Sequence, residues 1–139
     1  MTMRSLSGLC AATLLLAGCG GGSGQPASSA SGPSGSLGVI TAATAADAVG
    51  AMCELRRTVD RDEANALFFD RVHQTLHVLA AATEVVDRIP AAGLLEAKQA
   101  VEADLQAETM PPSFSADVAD LLGATGDALA TVDLPDPGC

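Results

Sequence analysis

The sequence predicts an all-α protein, a small up-down bundle of about four helices that follows a disordered Gly/Ser tether. Apolar residues between Ala45 and Val132 recur at three and four positions, the period of helices with one buried face. No stretch alternates apolar and polar residues or gathers β-branched ones as a strand would, and no segment repeats at a fixed period. The connections at Val59 to Asp62 and Asp87 to Pro90 are short, which makes neighbouring helices antiparallel.

The first helix is expected from Thr44 to Val59, with Ala45, Ala48, Val49, Met52, Leu55 and Val59 inward and Asp47, Glu54 and Arg57 opposite. Asp60 with Glu63 three residues on forms an Asx variant of the capping box and starts a second helix that runs to about Val86. Its core stripe is Phe68, Val72, Leu76, Leu79 and Val86, with Thr75 and Thr83 beside it. Ile89-Pro90 breaks that run, and Pro90 suits the first turn of a third helix that buries Leu94, Ala97, Val101 and Leu105 and ends before Pro111-Pro112. Ser113 or Ser115 can cap a fourth helix, in which Val118, Leu121, Leu122, Leu129 and Val132 share a face with Thr125. Gly123 and Gly126 each weaken it by roughly 1 kcal/mol relative to Ala, so a kink or split is expected there.

The 139 residues allow one domain, and 48% of them are apolar, yet there are 3 Phe and no Trp or Tyr. A core rich in alanine buries little area per residue and is thin. The 17 acids against 7 bases give a net charge of -10, the wrong sign for a nucleic-acid binder or a polybasic membrane-surface protein. The absence of Trp and Tyr also removes the flat stacking platforms that sugar and single-strand binders use.

The amino end sets the compartment. A single basic residue, Arg4, precedes an apolar stretch from Leu9 to Ala17 that is far short of the ~20 residues needed to span a bilayer, which reads as a secretory signal. It ends in Leu16-Ala17-Gly18-Cys19, a branched residue, two small residues and a cysteine. This resembles the lipobox of bacterial lipoproteins. The resemblance implies a diacylglyceryl group on the Cys19 thiol, cleavage before Cys19, and residence at the cell membrane on its extracytoplasmic face. It covers some 20 residues and says nothing about the rest of the chain. Residues 1–18 are then the signal peptide, 19–38 the lipidated Cys and tether, and 39–139 the helical domain. The Gly, Ser and Pro of Gly20 to Leu37 cannot bury enough surface to become ordered; at ~18 residues such a tether typically reaches about 20 to 25 Å. Two acyl chains at ~0.8 kcal/mol per buried methylene make the anchor effectively permanent.

With Cys10 removed and Cys19 acylated, Cys53 and Cys139 remain, in an oxidising compartment and with neither a C-x-x-C partner nor a nearby His. A Cys53 to Cys139 disulfide is therefore expected, pinning the Pro-rich tail across the first helix; the rival is a free thiol.

On a wheel of 100° per residue, Glu63, Asp70, His73, His77 and Glu84 share one stripe. His73 and His77 stand at i and i+4, a spacing at which two imidazoles can chelate Zn²⁺ or Cu²⁺, with Asp70 as third ligand. The same wheel turns that stripe toward solvent, opposite Phe68, Val72 and Leu79, where no second helix would complete the shell. Arg56, Arg57 and Arg61 cluster near Glu54, Asp60 and Asp62, which reads as local ion pairing, with an anion-docking site as the rival. Lys98 snorkels from the edge of the third helix and pairs with Glu102. Phe69, Leu67, Val78 and Val85 extend apolar surface beyond what one neighbouring helix covers.

No nucleophile elbow, phosphate loop or base-paired nucleophile is visible in the sequence. No catalytic activity and no cofactor beyond the covalent lipid are expected. The leading expectation is a lipid-anchored extracytoplasmic interaction domain that meets the membrane through its anchor and presents a helix surface to an envelope protein, with no nucleic-acid partner. The alternatives are an extracytoplasmic metal binder through His73 and His77 and a lipid or small-hydrophobe carrier.

Overall fold

A computed structural model describes residues 38–139. The signal segment, the Leu16 to Cys19 motif with its acylation site, and the tether as far as Leu37 lie outside the described residues. Within them the chain is all-α: α1 (Ala42–Leu55), α2 (Arg61–Leu67), a π turn (Phe68–Val72), α3 (His73–Val86), α4 (Arg88–Gln106) and α5 (Phe114–Thr131). Because α2, the π turn and α3 run on without a break, four helical rods result, arranged up and down. α4 packs against both α3 and α5, while α1 lies chiefly along the π turn and also touches α5.

Each start has a local cause. Thr41 and Thr44 form a reciprocal capping box, each side-chain oxygen accepting the other's backbone N–H at 3.2 and 3.0 Å. Asp60 accepts from the Glu63 N–H at 2.9 Å, and Asp87 from the Ile89 N–H at 2.9 Å, so the second break falls at Asp87 and places Pro90 in the first turn of α4. α1 ends at Leu55, short of the expected Val59: Asp60 must leave helical geometry to cap α2, and the chain turns over Arg56 to Val59. Val59 is consequently 89% exposed rather than in the core.

The second rod departs from the expected plain α-helix for a reason that lies in its spacing. Ala64, Phe68, Val72 and Leu76 are all fully buried, each four residues after the last. In a helix of 3.6 residues per turn, three such steps drift by about 120°. The π turn absorbs the drift: the His73 N–H bonds to the Phe68 carbonyl, five residues back. Beyond it the stripe continues as Leu79, Ala80 and Thr83, and Val86 is 64% exposed instead of buried.

α5 runs unbroken through Gly123 and Gly126, against the expected kink. Gly126 leaves room for the tail, since a Cβ there would come within 2.9 Å of the Asp136 carboxylate. Ser113 occupies the cap position without a side-chain bond. The carboxyl end closes as a Schellman motif, with the Leu134 N–H on the Leu129 carbonyl at 2.9 Å and the Asp133 N–H on the Ala130 carbonyl at 3.3 Å. Asp133 takes the left-handed conformation (φ 57°) that this motif requires, one that Asp tolerates better than most residues.

From there the tail turns back across α5 to α1, where Cys139 is bonded to Cys53, their Cα atoms 5.6 Å apart. The axis of the bundle is filled by Met52, Leu55, Phe68, Leu76, Leu94, Leu105, Leu121 and Leu129, with Ala45, Ala51, Ala64 and Ala128 where rods approach closely. Closing a span of 86 residues restricts the unfolded chain by up to ~4 to 5 kcal/mol, a large share of the stability of an alanine-rich domain. A Cys53→Ala/Cys139→Ala variant should keep its helical circular dichroism in the cold while losing several kcal/mol of unfolding free energy in urea. An unchanged urea midpoint would show that the bridge contributes nothing.

Candidate functional site

The most chemically loaded surface lies where α3 meets α4. The π turn rotates α3 relative to α2, so His73 and His77 face α4 rather than solvent and both are only half-exposed. The straight-wheel expectation of a solvated histidine stripe is thereby corrected. His73 Nε2 lies 3.0 Å from Glu102 Oε1, and the same oxygen accepts from Lys98 Nζ at 2.7 Å. The Lys98 to Glu102 pair is the expected one, but Lys98 does not snorkel. Its side chain is 5% exposed, an ammonium drawn under the histidines and neutralised by one carboxylate.

The aromatic rings form a row. Phe69 lies tilted by 40° against His73 with centroids 5.1 Å apart, and His73 meets His77 edge to face at 4.7 Å. Burial lowers the pKa of His77, and its proximity to Lys98 and His73 lowers it further, with Glu102 opposing them. Beside the pair runs a groove of about 440 Å³, lined by both histidines, Gln74, Ala80, Ala81, Glu84 and Leu95.

Asp70 sits on the exposed surface of the π turn, and the carboxylate that His73 meets is that of Glu102 instead. Among the described residues no group of three or more His, Cys, Asp or Glu side chains is arranged to hold a metal ion. Lys98 is already the cation at Glu102. The arrangement orients His73 and buries a charge, and it leaves the His77 imidazole at the groove.

An acidic pair links α4 and α5. Asp104 Oδ2 is buried with no hydrogen-bond partner while both carboxyls are ionised. Burial, then a hydrogen bond to Asp117 and its charge, push Asp104 up to about 6. The proton it takes up makes it a donor to Asp117. Sequence reasoning missed this pair because the two acids are thirteen positions apart on different helices; the signal available was Asp104 adjoining the core residue Leu105.

No protein-family model, characterised protein or solved structure matches the chain. Among the described residues, no helix is long and apolar enough to cross a membrane.

Glu102→Gln strands the Lys98 ammonium in the interior and should cost about 3 kcal/mol, whereas Lys98→Met should fall within about 1 kcal/mol of the parent. Equal losses in urea titrations of the two variants would refute a buried ion pair. Asp104 binds its proton more tightly folded than unfolded, so its contribution is complete below pH ~4 and is lost as pH rises through about 6. Asp104→Asn should therefore gain about 1 kcal/mol at pH 7.5, after allowance for solvent screening, and flatten the decline in stability between pH 4 and 6.5. An unaltered pH profile would count against the pair.

Proposed function

We propose that this chain is a lipid-anchored interaction module on the extracytoplasmic face of a bacterial membrane, presenting one end of its helical bundle to an envelope protein. The observation that carries the reading is at the α3–α4 turn. There Val85, Val86 and Ile89 are 88%, 64% and 82% exposed within one short stretch. Ile89 and Pro90 also line a groove of about 390 Å³ that runs between α4 and α5 past Gly93, Ala124 and Ala130. Single exposed aliphatics are ordinary, but three together beside a groove mark a surface that a partner covers. The anchor part of the reading rests on Leu16-Ala17-Gly18-Cys19 and the Gly/Ser-rich residues after it.

The alternatives draw less support. A metal at His73 and His77 competes with the ammonium already at Glu102. A carrier of lipids or small hydrophobes needs a hollow inside the bundle, yet Phe68, Met52, Leu76, Leu94 and Leu121 fill its axis.

The anchor is tested by metabolic labelling with palmitate, which should mark the parent chain and not Cys19→Ser. The surface is tested by a photo-crosslinking residue at position 89 in intact cells. A discrete adduct should form there, not at Asp62 at the opposite end, and should disappear on Val85→Glu with the thermal midpoint unchanged. Adducts of equal yield from both ends would reject this surface.

A further inference from the structure

We propose that the Cys53 to Cys139 bridge is a redox clasp: a dithiol opens it in the folded chain, releases the strap that follows α5, and loosens α1 while the other rods stay packed. The strap is residues 134–139. It turns at Asp133, in the left-handed conformation at φ 57°. Its base is fixed by the Leu134 N–H on the Leu129 carbonyl at 2.9 Å, with the Leu134 side chain against the core. Past Leu134 the fastening changes. Pro135 and Pro137 have no N–H, and the Gly138 N–H turns back to Asp136 Oδ1 at 3.0 Å. The Gly138 carbonyl lies 4.0 Å from the Cys53 sulfur, which has no proton to donate while it is bonded. Residues 135–139 are all exposed. Among the described residues, the link that holds them to a rod is therefore the covalent one.

The strap lies over the seam between α1 and α5. Met52 and Thr125 are a buried meeting point of those helices, the Met52 sulfur 4.0 Å from the Thr125 hydroxyl. Their chain neighbours are the two places the strap touches: Asp136 stands close over Gly126, and Cys139 is bonded to Cys53. α1 otherwise lies chiefly along the π turn, so the bridge is its second fastening. The packing of α4 against α3 and α5 does not pass through α1 or the strap. Opening the bridge therefore acts first on α1.

Access decides which sulfur reacts. Cys139 is exposed, whereas Cys53 is 9% exposed, so Cys139 is the one an attacking thiolate reaches. Exposed disulfides of this kind are the labile ones, while bridges sunk in a core resist exchange. The thiolate bonds to the Cys139 sulfur as the S–S bond breaks, and the Cys53 sulfur leaves with the electron pair and takes up a proton. The second thiol of the dithiol then displaces the Cys139 sulfur from the mixed disulfide. Two electrons and two protons have moved from the dithiol, now itself a disulfide, to Cys53 and Cys139, now both thiols. An oxidant reverses the exchange and closes the strap.

The test uses the full chain with Cys10→Ser and Cys19→Ser, so that a single pair of cysteines remains. In native buffer, millimolar dithiothreitol should open the bridge, read as iodoacetamide labelling of both Cys53 and Cys139 with the helical circular dichroism retained. Amide hydrogen exchange, followed by NMR in the cold, should then quicken at least ~10-fold at residues 48–55 and at Leu134, while residues 76–80 and 94–105 exchange as before. Cys139→Ser should show the same pattern without reductant, and reoxidation of the parent should restore slow exchange. Three results would each overturn the proposal: a bridge that resists dithiothreitol until denaturant is added, exchange that quickens equally in every helix, and exchange in α1 that does not change. The second of these is what a bridge acting on global stability alone would give.

Discussion

Four residues per step is the constraint from which the rest of this bundle follows. An α-helix cannot keep Ala64, Phe68, Val72 and Leu76 in one core without turning the last of them outward, and the chain resolves the conflict with a π turn. The widened turn also fixes the direction of everything after it. His73 and His77 swing toward α4, where Glu102 waits, instead of continuing the stripe begun by Glu63. A local backbone adjustment made for packing thus decides which polar groups meet.

The polar groups it brings together are interdependent. Lys98 is nearly buried, and a buried ammonium is tolerable only with its counter-charge in place. Glu102, on the same helix, supplies that charge and with the same oxygen meets His73, so one carboxylate both neutralises Lys98 within α4 and ties α4 to α3. Lys98 in turn lowers the pKa of His77. On the other side of α4, Asp104 and Asp117 form the reverse arrangement, two acids with no cation between them, which is stable only when one holds a proton. α4 therefore carries a satisfied charge on one flank and a pH-sensitive one on the other.

Much of this was legible in the sequence. The rods, the Asp60 cap, the Lys98 to Glu102 pair and the Cys53 to Cys139 bridge are local or nearly forced: the first three follow from spacings of three and four, and the last from having two cysteines left to pair. What was not legible depends on register between helices. A wheel of constant 100° steps has no place for a π turn, so it misplaced His73 and His77 against the stripe that begins at Phe68, whereas Val86 stays on the face of Leu79 and is bared because it ends α3. Val59 fitted the apolar stripe of α1 but lost to the demand of Asp60 for extended backbone, a competition that periodicity alone does not weigh. The ion pairs expected around Arg56 and Arg57 failed because Arg71, a distant residue in sequence, reaches Glu54 first.

The exposed valines and isoleucine at the α3–α4 turn have a structural origin in α1. That helix has 14 residues against 19 in α4 and 18 in α5, and it lies along the π turn and the start of α3. Past it the bundle has three helices rather than four, and they close on one another through small residues. Thr83 of α3 meets Ala128 of α5, near enough for the Thr83 hydroxyl to donate to the Ala128 carbonyl at 3.4 Å. Small side chains can close that gap, but they add no wall beyond it. Val85, Val86 and Ile89 lie where a longer first helix would have covered them, and the returning tail, with Asp136 close over Gly126 and Cys139 bonded to Cys53, is drawn toward the other side of the molecule. The short helix is thus what bares the turn, and its length decides where the fold shows its most apolar exposed surface.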